Sequence, residues 1–236
     1  MSTLALPQVV EYGDSAIMVT VDSPDADLRQ RRVVELRDAF TSHRPPGVTD
    51  VVSGLESFLV EYDPIRTGPD QLIHSINLIS ELPPTAGSRN SRVFDLPVCF
   101  DDDTAPDLPT VADELGLSAE ETISQLVEGE FSIVLLAAAM APMMSGLSLP
   151  APVSRQRQPR TNVPEGSIMI AGRHAIIQPF PGPTGWRVVG RTPLTIVDIA
   201  RAAPTAFAPG DILRFTRIDT TEFEGLRGGF LTGTTS

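Results

Sequence analysis

Apolar residues recur along residues 1–88 with two different periods, and the alternation of those periods predicts an order of elements. Residues 9–21, VVEYGDSAIMVTV, make two short β-like runs on either side of the turn signal Gly13-Asp14. In SPDADLRQRRVVELRDAF, which follows, Val33, Leu36 and Phe40 return at helical spacing. Ser23 or Asp25 caps that helix, and Pro45, Pro46 and Gly47 end it. VTDVVSG and ESFLVEYD then read as strands, and GPDQLIHSINLISEL as a second helix with Leu72, Ile76 and Ile79 on one face. The order ββαββα predicts one sheet covered by two helices. Residues 83–91, PPTAGSRNS, have the composition of a linker and place a domain boundary after residue 88.

Beyond that boundary the pattern changes. RVFDLPVCF reads as a strand and DDDTAPD as a turn; two helices follow, the second opened by a capping box from Ser118 to Glu121. FSIVLL, GSIMIAG, HAIIQP, GWRVVGR and ILRFTRI are short runs separated by Pro and Gly, the pattern of a barrel or a sandwich over residues 89–220. Residues 221–236, rich in Gly and Thr, read as a flexible tail that orders only on something else.

One stretch fits neither period. Residues 133–152, IVLLAAAMAPMMSGLSLPAP, carry no charge. A membrane span is excluded by Pro142, Gly146 and Pro150, which would break the helix, and by a strand pattern in the first six residues. The stretch reads as a core strand entering an apolar loop, whose Met140, Met143 and Met144 offer a pliable surface to a partner.

Composition narrows the function. A chain of 236 residues with 41% hydrophobic content builds a sizeable core, and a net charge of −12 argues against nucleic acid and anionic membranes as partners. Every one of the 18 basic residues is Arg, so a Walker-type or Schiff-base lysine is absent and any anion is held by Arg or by backbone N–H groups. The single Cys99 forms no intrachain disulfide and reads as a small buried hydrophobe. The opening MSTLALPQVVEYGD lacks the features of a signal peptide, which makes the cytoplasm the expected compartment.

Few residues carry candidate chemistry. Arg155, Arg157 and Arg160 lie within six residues and suit a carboxylate or phosphate, or else a solvated loop that balances acidic surface. His74 lies opposite the apolar stripe of its helix and His43 follows a helix end, which leaves His174 as the proton-transfer candidate by elimination. Asp101, Asp102 and Asp103 read as a solvated turn rather than a metal site.

The run from VPEGSIMIAG to GWRVVGRTP resembles the C-terminal domain of the allophanate hydrolase subunit 1 family, which includes the 5-oxoprolinase B subunit and a sporulation histidine-kinase inhibitor. The matching positions are Pro159, Arg160, Val163, Pro164, Gly166, Ser167, Ala171, Gly172, Gly185, Trp186, Gly190 to Pro193 and Pro209 to Asp211. GDSAIMV and ESFLVEYDP resemble the family's N-terminal domain, and DLPTVADELGLSAEETI its helical pair, so the likeness spans about residues 8 to 218. It implies an α+β chain: a small N-terminal α/β sandwich domain, then a cyclophilin-like β-barrel. It also implies a hetero-oligomer with a homologous second subunit that hydrolyses a small amide or ureide carboxylate such as 5-oxoproline or allophanate, the former with ATP as co-substrate of the complex; no His or Cys spacing points to a metal. The inhibitor relatives imply the alternative of a non-catalytic regulator or scaffold.

With the resemblance added to the reading of the residues, Arg155, Arg157, Arg160, Ser167 and Arg191 are expected to bind substrate or nucleotide; His174, reached by elimination, is expected to transfer protons, and Met140, Met143 and Met144 of the apolar stretch, with Trp186, to form the partner interface. There are three departures, the first being His174, where the family more often has Gln. AAAMAP, residues 137–142, stands where the family writes Gly-Phe-x-Pro-Gly-Phe, and a residue near Leu126 stands where it tends to carry a His. A loop without glycines or aromatics loses close backbone approach and flat binding walls.

Overall fold

Alternating burial in residues 7–62 produces strands, and helical spacing in the segments between and after them produces the helices that cover one face. The computed structural model describes residues 7–81 and 91–233, so the expected linker 83–91 lies almost wholly outside the described residues. The chain divides into two units, Met1–Arg89 and Asn90–Ser236.

The first unit runs β1 (Pro7–Glu11), β2 (Ala16–Val21), α1 (Ala26–His43), β3 (Val48–Ser53), β4 (Ser57–Tyr62) and α2 (Pro69–Glu81). Its sheet is antiparallel in the order β1-β2-β4-β3. Ile17 and Val19 of β2 and Phe58 and Val60 of β4 share one buried cluster with Val33, Leu36 and Phe40 of α1 and Leu72, Ile76 and Ile79 of α2. Each such side chain contributes about 1.5–3 kcal/mol on leaving water. Of the two candidate caps of α1, Asp25 does the capping, its Oδ1 accepting the Leu28 N–H at 3.1 Å, while Ser23 Oγ accepts the N–H of Asp25 itself at 3.3 Å, ahead of the helix.

The second unit runs β5 (Val93–Cys99), α3 (Leu108–Leu115), α4 (Ala119–Glu128), β6 (Glu130–Leu136), β7 (Pro142–Ser145), β8 (Arg160–Val163), β9 (Ser167–Ala171), β10 (His174–Ile177), β11 (Gly182–Thr184), β12 (Arg187–Arg191), β13 (Ile212–Ile218) and α5 (Thr220–Leu226). The strands β10-β7-β6-β13-β5-β12-β9 close into a barrel, and β8 pairs with β11 as a separate ribbon. The pairing of β13 with β5 is parallel along its whole length. The barrel, and not the sandwich that the strand pattern left open, completes the α+β architecture.

All five residues of β9 are buried, because both of its faces are covered. Ile168 and Ile170 belong to the main core with Phe94, Phe131, Leu213 and Phe215, whereas Met169 packs with Val163 and Val188 in a second cluster against which Ile176 and Trp186 rest. Helix α4 opens with the expected box: Ser118 Oγ accepts the Glu121 N–H at 3.2 Å and Glu121 Oε2 accepts the Ser118 N–H at 2.7 Å.

Two expectations are corrected. Residues 142–145 form a strand where an apolar loop was expected; Pro142 is its first residue, where a missing N–H does no harm. Residues 220–231, expected within or at the edge of a flexible tail, are held by the barrel unit itself. Asp219 caps α5, Phe223 is buried, Phe230 bridges to Thr195, and Leu231 is 1% exposed in the main core. The Gly and Thr content hid a four-residue capping box. Residues 234–236 lie outside the described residues.

Candidate functional site

The three arginines of residues 155–160 go to three destinations. Arg160 opens β8 and reaches Asp107, the residue before α3, with Nη2 at 2.6 Å from Oδ1 and Nε at 3.4 Å from Oδ2. Asp107 is buried, and its Oδ2 also accepts the Gln156 amide at 2.7 Å and the Val188 backbone N–H at 2.8 Å. This hydrogen bond to Asp107 raises the Arg160 pKa above its ordinary value, against a smaller opposing effect of burial. Arg160 is therefore a tie between β8, α3 and β12, and its guanidinium, expected to bind substrate or nucleotide, is engaged by Asp107. Arg155 lies over the Trp186 ring, 5.7 Å from the centroid. Arg157 is exposed and makes no ion pair among the described residues.

Ser167, expected beside Arg160 in binding, has a structural partner too. It is 1% exposed, and its hydroxyl donates to the Pro164 carbonyl at 2.8 Å, which closes the turn into β9. Arg191 differs from these. It ends β12, donates from Nε to the Glu165 carbonyl at 2.9 Å, and lies 5.7 Å from the Phe223 ring centroid. Arg227 stacks on the same ring at 5.3 Å and pairs with Glu224. Burial, and then repulsion from Arg227, lower the Arg191 pKa, with Glu165 and Glu224 acting in the other direction. Among the described residues no carboxylate lies within ion-pair distance of Arg191, and its bond from Nε goes to a backbone carbonyl. Phe223 and Arg227 were missed in the sequence because they fall in the supposed tail; the signal that marks them is the Asp219 to Glu222 box.

His174 is half-buried at the start of β10, directly opposite Ala171, whereas Arg191 stands opposite Ser167. The two therefore flank opposite ends of β9. Those ends are four steps apart along the strand, about 13 Å. The structure does not bring the expected proton-transfer and anion-binding residues into one small site.

The expected partner residues also divide. Met144 is 0% exposed and sits in the main core, paired with Ile133 and Ala175, so it is not a surface residue. Met143 and Met140 are half-buried. Register aligns Met143, Ile176, Met169 and Val188 across β7, β10, β9 and β12, on the outward side where Trp186 packs. In the loop before β7, Ala139 and Met140 have φ of 56° and 62°, a left-handed conformation that non-glycine residues seldom adopt.

Comparison with known proteins agrees with this architecture. The 5-oxoprolinase B subunit of Bacillus subtilis (strain 168) is 28% identical over 93% of this chain and 96% of that relative. The crystal structure of TTHA0988 superposes with a TM-score of 0.72 at 28% identity, covering 86% of this chain; this chain spans only 40% of that one. The urea amidolyase of K. lactis, at 21% identity and a TM-score of 0.76 over 96% of this chain, shares the fold. The model of the carboxyltransferase domain, subdomain C and D, matches residues 7–207, and the chain belongs to that family.

Proposed function

We propose that the chain is the B-type subunit of an amide-hydrolysing assembly of the 5-oxoprolinase kind. It would act with a homologous second subunit on a small amide carboxylate, with ATP as co-substrate. The observation that carries this reading is the end-to-end match to the 5-oxoprolinase B subunit, which covers 93% of this chain and 96% of the relative. A non-autonomous role is consistent with His174 and Arg191 flanking opposite ends of β9 and not sharing one small site. Arg191, beside Phe223 and without an ion-pair partner among the described residues, is assigned to the substrate carboxylate. For nucleotide, this chain offers arginines and no lysine, and Arg160 is committed to Asp107. The outward row of Met143 and Ile176, beside Trp186, is assigned to the second subunit.

The test is turnover of 5-oxoproline, and separately of allophanate, by the purified pair with ATP. Turnover by the pair and none by either subunit alone is expected. Arg191→Gln should raise KM by about tenfold or more, the scale of a lost hydrogen bond to a charged group. A complex that forms and turns over neither compound supports the second reading, a regulatory protein. That alternative is favoured by the loop at 137–142, which contains no Gly and no aromatic residue.

A further inference from the structure

The sheet of the first unit has helices packed on one face. On the opposite face, register aligns Val10, Met18, Leu59 and Val52 in a single row, each directly opposite its neighbour, across all four strands. At a strand spacing of about 4.8 Å the row is about 14 Å long. Val10 is 62% exposed and Val52 46%, while Met18 and Leu59 are half-buried. A contiguous apolar row left in water marks an interaction surface, whereas single exposed apolar residues do not.

The neighbouring positions state the chemistry of what covers it. Two residues along each strand, on the same face, Glu61 stands directly opposite Asp50 and both are exposed. Like charges facing each other across a strand pair destabilise the sheet. Among the described residues neither carboxylate has a cation within ion-pair distance, and Asp50 accepts only the Val51 N–H. An apolar row with an uncompensated acidic pair on its border fits a surface of the opposite charge at the same border.

We propose that this sheet face docks a second polypeptide of the assembly, one whose apolar strip is bordered by an Arg or Lys that seats between Asp50 and Glu61. The proposal rests on the reading of the chain as a subunit. A second copy of this chain is a poor occupant, because it brings the same carboxylates and a net charge of −12 against −12. The matched TTHA0988 chain extends far beyond the region this protein spans, 40% of its length, so there the same fold is accompanied by more protein.

The test uses the full chain and the homologous second subunit, with Kd measured in low and high salt. The double variant Val10→Asp, Val52→Asp should weaken binding at least tenfold. Alone it should keep the wild-type thermal midpoint to within about 2 °C, as exposed substitutions do. Asp50→Lys with Glu61→Lys, which replaces only exposed carboxylates, should weaken binding similarly, and added salt should weaken the wild-type complex. Unchanged affinity in both double variants overturns this docking surface and leaves the subunit reading in place. A wild-type chain that fails to bind the second subunit overturns both. A wild-type homodimer broken by Val10→Asp, Val52→Asp assigns the face to a second copy and overturns the proposed occupant.

Discussion

Asp107 and Arg160 form an ion pair that is buried on one side only: the aspartate side chain is 6% exposed and the guanidinium side chain 42%. Removing the arginine leaves a buried carboxylate with only the Gln156 and Val188 donors. Leaving a buried acceptor short of partners costs about 1–3 kcal/mol. Arg160→Ala should therefore lower the thermal midpoint by about 5 °C. In an Asp107→Asn background the same change should cost much less, because the charge it answers is gone. A variant that melts like wild type and binds ligand more weakly would return Arg160 to the binding residues.

The left-handed loop before β7 gives a second expectation. A non-glycine residue with φ of 56°, as at Ala139, pays about 1–2 kcal/mol in steric strain, of which the extra chain entropy of glycine offsets part. Ala139→Gly should raise the thermal midpoint by about 1–3 °C. The neighbouring Ala138→Gly, which relieves no such strain, should lower it. If both substitutions destabilise equally, the loop is not held in the left-handed region in solution.

A third expectation concerns pH. Hydrogen bonds from the Ser118 backbone and then its hydroxyl lower the Glu121 carboxyl below its ordinary value of 4.5. The folded state therefore releases this proton more readily than the unfolded chain. The contribution to stability is fully present above pH 4.5 and is lost as the pH falls through the folded value. Glu121→Gln should flatten that part of the stability curve, as followed by denaturant melts from about pH 3 to about pH 6. An unaltered slope would show that the box does not persist in solution.

The elements that were legible in the sequence are those whose burial is one-sided. Val33, Leu36 and Phe40, or Leu72, Ile76 and Ile79, repeat at helical spacing because each helix has one buried face. β7 escaped because Pro142, Met143 and Met144 are not β-branched and the strand is short. The short ribbon β8-β11 has polar or Gly and Pro residues at most positions. The motif that carried the family resemblance proved to hold the fold. At Gly166, with φ of +78°, an added Cβ would lie 2.3 Å from the Thr192 carbonyl oxygen. Ser167 closes a turn, and the Asp211 carboxylate holds Arg92 at 2.6 Å. Such residues are specified by backbone geometry that only the folded chain displays. For the same reason Asp107, reading as one more aspartate in a turn, gave no sign of its four hydrogen bonds.

Met143 and Met144 are neighbours in sequence with opposite surroundings, and this separates two consequences of one kind of substitution. Met144 is 0% exposed between Ile133 and Ala175, so Met144→Asp buries an unpaired carboxylate in the barrel. That costs several kcal/mol, enough to unfold the second unit of a marginally stable chain. Met143 faces the other way, half-buried beside Ile176 on the outward row. Met143→Asp should leave the fold intact, with far-UV dichroism unchanged and the thermal midpoint lowered by a few degrees at most. If that row meets the second subunit, the same substitution should weaken the complex by about tenfold or more, since a desolvated charge at an interface centre costs at least about 1.4 kcal/mol. Co-elution of the two subunits, measured for each single variant, separates the outcomes. Loss of assembly with Met143→Asp and a folded chain would place the interface on this row, and unchanged affinity would restrict the methionines to packing.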